Sequence, residues 1–403
     1  MPGGRDRAPS VDPGNAPYRQ RFAVSYEYPV YFTRDAFDPA NTALRDALGR
    51  AEFERRQRAA VYIDAGVAEA HPDLPAHIRG YFDAHADSLA LIAEPETVTG
   101  GEAAKHDRKV VDHVLGRLAE LGVDRHSHVL IVGGGAVLDA VGYAAAVAHL
   151  GVRTVRMPTT VLAQNDSGVG VKVGINALGV KNMVGSFAPP FAVVNDTGFL
   201  ASLAHRDKIA GIAEAVKVAL IRDGVFFAWL EQHADELAAF RGPAVDHMIR
   251  RCAELHMDQI AHGGDPFETG SARPLDYGHW AAHKLETLTG YALRHGEAVA
   301  IGMALDARYA TLAGMLEAGA DERVCRLLER LGFRLWHDAL DWPDATGQRR
   351  ILRGLQEFRE HLGGELTVTL LAGIGRGREV HSMSDTRVAE AVAWLRARDG
   401  AAG

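Results

Sequence analysis

The chain is short of cysteine, of excess basic charge and of long apolar runs, and each shortage removes a class of protein. Only two cysteines, Cys252 and Cys325, occur in 403 residues, too few for a disulfide framework and in keeping with a reducing cytoplasm. Lys and Arg number 44 against 52 Asp and Glu, a formal net charge of −8. That balance argues against extended binding to a nucleic-acid backbone but leaves room for a small basic pocket around one phosphorylated metabolite. No stretch approaches the roughly eighteen uninterrupted apolar residues of a membrane-spanning helix, and the N-terminus MPGGRDRAPSVDPGNAP lacks the apolar centre of a signal peptide. The expectation is a cytoplasmic protein that takes neither nucleic acid nor membrane as a partner.

What is present is a chain too long for one hydrophobic core, so two domains are expected. Residues 1–17, rich in Pro, Gly, Asp and Arg, cannot bury enough apolar surface to order themselves and are expected to form a disordered leader. Over residues 18–195, strand-like runs such as AAVYIDAGV, SLALIAEP and HVLIVGG alternate with helical spacing, the order of a parallel sheet with helices on its faces. RFAVSYEYPVYF is expected to add one or two strands, interrupted near Pro29. Over residues 196–403 helices dominate, closed by a hairpin turning within Gly373–Gly377 and a last helix capped by Asp385.

The densest chemistry lies in DPFETGSARPLDYGHWAAHKLETLTGYALRHGEAVAIGM, residues 265–303. His279 and His283, four apart, share one face of a helix. His295 follows a Gly290 loop and opens a second apolar helix, so it can return to that face from another element. Two imidazoles converging from separate helices suit zinc, which needs a third protein ligand and an open position for substrate. Glu214 in AEAVK is a candidate third ligand; the alternative is a plain ion pair with Lys217, three residues along the same helix face. Singly, each of these histidines reads more readily as a surface or capping residue; it is the grouping that turns the reading toward a metal.

Two further stretches invite a ligand. Gly133-Gly134-Gly135 between a strand and an apolar helix permits close approach of a pyrophosphate to a helix N-terminus, although it is not GxGxxG and a tight turn would look the same. PTTVLAQNDSGVGVKVGINALGVKNMVGSFAPPFAVVND, from residue 158, is too polar and glycine-rich for a packed helix and is expected to be a long irregular, functional segment. Its Lys172 and Lys181 can clamp phosphate as point charges, while Asp166 and Asn182 can bind hydroxyls.

The ordered set GGGAVLD, PTTVLAQNDSGVGVKVGIN, GVKN, AEAVK, GHWAAH and HGEAVAIGM closely resembles the dehydroquinate synthase family, the sugar phosphate cyclases, over roughly residues 60–375. The resemblance implies a Rossmann-like α/β domain that binds NAD, a mainly helical C-terminal domain that binds zinc (or cobalt), and a homodimer. It makes Glu214, His279 and His295 the metal ligands. It puts Asp64, Glu102, Lys105, Gly133, Gly134, Gly135, Asp139, Thr159 and Thr160 at the NAD site. Asp166, Lys172, Lys181, Asn182, Lys217 and His283 fall to catalysis and sugar-phosphate contact. The implied reaction oxidises a ring alcohol with bound NAD, eliminates phosphate, returns the hydride and closes the ring by intramolecular aldol addition, so that NAD is not consumed.

Departures from the dehydroquinate synthase pattern bear on the substrate. The arginine expected seven residues before the first metal histidine and the asparagine three before it are Ala272 and Asp276, with Arg273 one step away. The lysine expected about twenty residues upstream falls on Met257 or Asp258, the C-terminal acid-Lys-Lys signature reads FREHLGG with Arg359 and Glu360, and Leu150 replaces a further arginine. A buried carboxylate without a fixed cation is left with its desolvation uncompensated. The expected substrate therefore carries phosphate but no carboxylate, which points to sedoheptulose 7-phosphate and a valiolone-type cyclitol. Members that make 2-epi-5-epi-valiolone commonly have proline where His283 stands, so the chain looks more like a 2-epi-valiolone synthase. The rivals are 3-dehydroquinate synthase itself, with Arg273 and Arg359 supplying the lost cations, an NAD-dependent polyol dehydrogenase of the iron type, and a degenerate sugar-phosphate-binding protein.

Overall fold

The computed structural model describes residues 17–51, 55–106, 108–178, 180–267, 274–361, 364 and 366–402. The leader expected over residues 1–17 lies, apart from Pro17, outside the described residues, as do Ala272 and Arg273.

In chain order the strands are β1 (Val30–Thr33), β2 (Gln57–Asp64), β3 (Leu89–Leu91), β4 (Glu96–Val98), β5 (His128–Gly133), β6 (Arg153–Pro158), β7 (Lys172–Ala177), β8 (Val180–Phe187), β9 (Ala192–Asp196), β10 (Val368–Gly373) and β11 (Arg376–Val380). Seven of them form one parallel sheet in the order β1-β9-β6-β5-β2-β3, with β4 paired to the C-terminal half of β2. The unbroken apolar runs of β2 and β5 follow from burial on both faces. Val61, Ile63, Leu130 and Val132 pack into the core on one side of the sheet. Tyr62, Val129 and Ile131 point to the other side, where Val137 and Val141 of the Gly135–Val147 helix meet them.

From β2 the chain goes outward to β3 and β4, then returns to β5, β6 and β9 on the opposite flank. The order therefore reverses between β2 and β5, and the crevice beyond the carboxyl ends of such strands is where parallel sheets bind ligands. Asp64 ends β2 and Gly133 to Gly135 follow from β5 at that point.

After β9 the chain is helical. The helices Ile212–Arg222, Pro243–His262, His279–Leu288 and His295–Leu312 share a core that includes Val216, Leu220, Met248, Trp280, Leu285, Val299 and Leu305, against which β10 packs. Two glycines set the closeness of that packing. A Cβ at Gly296 would stand 1.8 Å from the Ala210 carbonyl oxygen, and one at Gly302 would stand 2.0 Å from that of Gly278. The glycines of HGEAVAIGM thus let the His295 helix lie directly on the backbone that leads into the Ile212–Arg222 helix, at Gly296, and into the His279 helix, at Gly302.

Three expectations need correction. Of RFAVSYEYPVYF only the last residues form a strand, because β1 pairs solely with β9 and its register covers Val30 to Thr33; Tyr18 and Phe22 remain exposed. The stretch expected to be irregular is largely ordered. Ala163–Ser167 makes a π-helical turn, and β7 and β8 pair as an antiparallel hairpin. Glycine allows that hairpin, since a Cβ on Gly174 would meet the Val184 carbonyl at 2.8 Å and one on Gly185 the Val173 carbonyl at 2.7 Å. Finally, the last helix begins at Asp385 itself, and the Ser384 hydroxyl, one residue earlier, accepts from the Arg387 amide at 3.5 Å.

Candidate active site

A cavity of about 490 Å³ lies between the β7–β8 hairpin and the helical half. Glu214, from the Ile212–Arg222 helix, is 1% exposed and stands behind its wall. His279 opens one helix after Gly278, whose φ of +79° suits a residue without a side chain, and His295 opens the next. The three ligand atoms lie within 4.8 Å of one another, with His279 Nε2 and His295 Nε2 at 3.9 and 3.6 Å from Glu214 Oε1.

The outward nitrogens decide what the inward ones can do. His279 Nδ1 lies 3.0 Å from the Tyr277 carbonyl, which can only accept, so Nδ1 carries the proton and Nε2 presents its lone pair to Glu214. His295 Nδ1 is 3.3 Å from Glu286 Oε1, which fixes that ring in the same sense. The backbone before His279 is anchored as well: Asp306 accepts from the Gly278 amide at 3.1 Å and from Trp280 Nε1 at 2.8 Å, and the Tyr277 hydroxyl donates to Met303 O at 2.9 Å.

Electrostatics call for a cation at this point. Burial would raise the Glu214 carboxyl, but Lys217 and the two imidazoles outweigh it and hold it well below the usual range. Burial, followed by Lys217, pushes His279 well below its ordinary value, so that ring is neutral. Burial would lower His295 too, yet its bonds to Glu214 and Glu286 push it up to about 9. Glu286, which burial would raise, is drawn down to about 2, chiefly by His295. A positive charge, whether proton or metal ion, therefore belongs between Glu214 and His295. One carboxylate oxygen and two imidazole lone pairs converging on one point fit a borderline divalent metal. Lys217, paired with Glu214, is held as an ammonium by that carboxylate and Asp166 despite its burial.

The remaining expected residues divide into two groups. Asp166, Lys172, Lys181, Asn182, Lys217 and His283 all line the cavity with His279 and His295. His283 brings its ring to 5.4 Å from that of His279. Of the residues expected at a dinucleotide site, Asp64 accepts from the Gly66 amide at 2.8 Å, and a Cβ on Gly100 would collide with its carboxylate. The Thr159 amide donates to the Gly133 carbonyl at 3.0 Å, and Thr160 Oγ1 accepts from the Ala163 amide at 3.1 Å. A Cβ on Gly135 would lie 2.7 Å from Ser167 Oγ. These residues fit a dinucleotide whose phosphates approach the Gly135–Val147 helix from the end of β5. Lys105 and Asp139 reach further. Lys105 Nζ bonds Asp139 at 2.5 Å and Asn182 Oδ1 at 2.6 Å, linking this group to the hairpin. Glu102 is exposed.

Of the two residues named as rival cations, Arg273 lies outside the described residues and Arg359 is not in the cavity. Arg359 opens onto a separate depression with Gln356 and His381, and Leu150 is 90% exposed. Among the described residues no arginine lines the cavity, and Asp139, Asp166, Asp265 and Asp276 do. Two residues without an assigned role from sequence stand out. Glu286, seven positions after His279 on the same helix, orients His295, and that helical spacing was its available signal. His256 points into the cavity and bonds Asp166, a contact that no local spacing encodes.

Family models and individual relatives point to the class to which this cluster belongs. Family models for the N-terminal and C-terminal parts of 3-dehydroquinate synthase cover residues 96–210 and 211–349, and the chain belongs to that family, an enzyme of the sugar phosphate cyclase group. Among individual relatives, a 2-epi-5-epi-valiolone synthase of Streptomyces glaucescens is 34% identical over 360 residues, 89% of this chain and 88% of that protein. A 3-dehydroquinate synthase of Halorhodospira halophila is 38% identical over 294 residues, 72% of this chain and 81% of that one. The solved structure of the 2-epi-5-epi-valiolone synthase ValA from Streptomyces hygroscopicus, with NAD+ and Zn2+ bound, superposes with a TM-score of 0.82 at 28% identity, covering 95% of this chain and all, 100%, of that one.

Proposed function

We propose that the protein is an NAD- and zinc-dependent cyclase that converts sedoheptulose 7-phosphate to a valiolone-type C7 cyclitol, of the 2-epi-valiolone kind, with release of phosphate. The observation that carries the substrate choice is the charge inventory of the cavity: Lys172, Lys181 and Lys217 against four aspartates, with no arginine among the described residues. Lysines satisfy a phosphate as point charges, whereas a substrate carboxylate near Asp276 would meet repulsion, and no described arginine of the cavity offers it a bidentate partner. The similarity to 2-epi-5-epi-valiolone synthases supports the valiolone type, while the 2-epi-valiolone kind rests on His283.

In this reading Glu214, His279 and His295 hold the metal, and Asp64, Thr159, Thr160 and Gly133 to Gly135 hold NAD. When bound, NAD supplies reversible hydride transfer and the metal Lewis acidity. The chain's own residues do the rest. Tyr277 O and Glu286 keep protons on the outward nitrogens of His279 and His295, so both Nε2 atoms stay available as ligands. Lys217 is a cation at the floor of the cavity and stabilises negative charge developing on substrate oxygen. Lys172 and Lys181, near the mouth, neutralise the departing phosphate together with Asn182 and His283. The enzyme works as a homodimer, as its resemblance implies.

Its 38% identity to a 3-dehydroquinate synthase keeps that activity as the second reading. The deciding experiment incubates purified, zinc-loaded protein with NAD and, separately, sedoheptulose 7-phosphate or the carboxylated heptulosonate phosphate used by dehydroquinate synthases, measuring phosphate release and identifying the product by NMR. Release from sedoheptulose 7-phosphate without net NADH is expected. Turnover of the carboxylated sugar alone rules the proposal out.

A further inference from the structure

The Pro243–His262 helix presents His256, Gln259 and Ile260 to the cavity, positions three and four apart on one helical face. Its neighbouring positions turn elsewhere. Met257 packs with Val169, Val193 and Ala253, and Asp258 lies exposed beside His262 and Arg222. His256 is held firmly, because its Nδ1 lies 2.7 Å from Asp166 Oδ1 in the π-helical turn. Gly170 keeps space beside the other ring nitrogen: a Cβ there would already touch His256 Nε2 at 3.9 Å. One turn along, the buried Gln259 Oε1 has no hydrogen-bond partner among the described residues.

We infer that His256, oriented by Asp166, is a specificity-determining residue that hydrogen-bonds a hydroxyl of the bound sugar phosphate, with Gln259 beside it as a second neutral contact. This rests on the sugar phosphate cyclase reading and refines it. The carboxylate behind the imidazole decides the chemistry of the partner. An anionic group at Nε2 would face Asp166 across the ring, and Asp276 and Asp265 also line this cavity, so like charge opposes a carboxylate or phosphate here. A hydroxyl both donates and accepts, and it matches either protonation state of the imidazole. Phosphate is left to Lys172 and Lys181, and the His256 wall takes the polyol.

The test titrates zinc-loaded enzyme with sedoheptulose 7-phosphate, NAD being withheld so that the sugar is not turned over, in the wild type, His256→Ala and His256→Gln, while measuring zinc content and, separately, NAD affinity. The Ala variant is expected to weaken Kd for the sugar phosphate about ten-fold, the scale of one lost hydrogen bond. Zinc, NAD and inorganic phosphate should bind as before. Gln, whose amide reaches the position of Nε2, recovers most of the loss. An unchanged Kd in the Ala variant overturns the assignment. So does an equal loss for inorganic phosphate, which would make His256 a phosphate contact, or an equal defect in both variants accompanied by loss of zinc, which would make its role structural. Should the wild type release phosphate only from the carboxylated sugar, the functional reading fails separately, and His256 is then judged by the same ratio on that sugar.

Discussion

The two sides of the cavity are built differently. On the helical side the metal-site candidates are fixed before any ligand arrives: Glu214 and His279 are buried, both histidines have an outward partner that sets the tautomer, and Asp306 ties down the turn in front of His279. On the hairpin side Lys172 and Asn182 are exposed and Lys181 has Glu286 only at 3.4 Å. The helical side is preorganised for a small ion that must be held constantly. The hairpin side keeps its charges closer to water, which screens them until a phosphate binds.

The sharpest way to break this contrast is Glu214→Ala. It removes a ligand and leaves Lys217 buried without its carboxylate, a loss of about 3–5 kcal/mol in stability. Zinc content by mass spectrometry should fall to background and phosphate release should disappear; a variant that retains both takes Glu214 out of the site. Lys172→Ala probes the other side. Zinc content and melting temperature should stay at wild-type values while kcat/KM for the sugar phosphate drops about 10- to 100-fold, the range for a hydrogen bond to a charged group. Loss of zinc in this variant would mean the two sides are not separable.

A third effect concerns pH. Asp306 is buried, and burial, opposed by the bonds from Trp280 and Gly278, pushes it up to about 7. An acid with a folded value above its unfolded one, near ~3.9, holds its proton more tightly in the fold. Stability contributed by this group is therefore greatest at low pH and falls as pH rises through the window from ~4 to 7, by up to about 1.4 kcal/mol per unit. Denaturant unfolding at about pH 5 and about pH 8 should show that slope flattened in Asp306→Asn; an unaltered slope would show that Asp306 does not titrate in this window.

Much of the helical side was legible because helical spacing and charge leave marks in sequence. His279 and His283 fall on one face, and Glu214 needed a partner within an apolar run. The continuous apolar runs of β2 and β5 likewise announced a sheet buried on both faces. What stayed hidden depends on pairing between distant segments. The β7–β8 hairpin looked irregular because its glycines are there for backbone contact, Gly174 against Gly185. The segment before β1 looked strand-like because its alternation is real, but an edge strand orders only where β9 offers hydrogen bonds. The His256–Asp166 contact joins a helix of one half to a turn of the other, and only the folded chain brings them together.

The account rests on a single ion held by residues from three helices, and X-ray absorption at the zinc edge of the purified protein tests it most directly. The expected first shell contains two imidazole nitrogens at about 2.0–2.1 Å, with the remaining ligands oxygen. A sulfur scatterer near ~2.3 Å, or a shell without imidazole, would contradict the assignment of Glu214, His279 and His295.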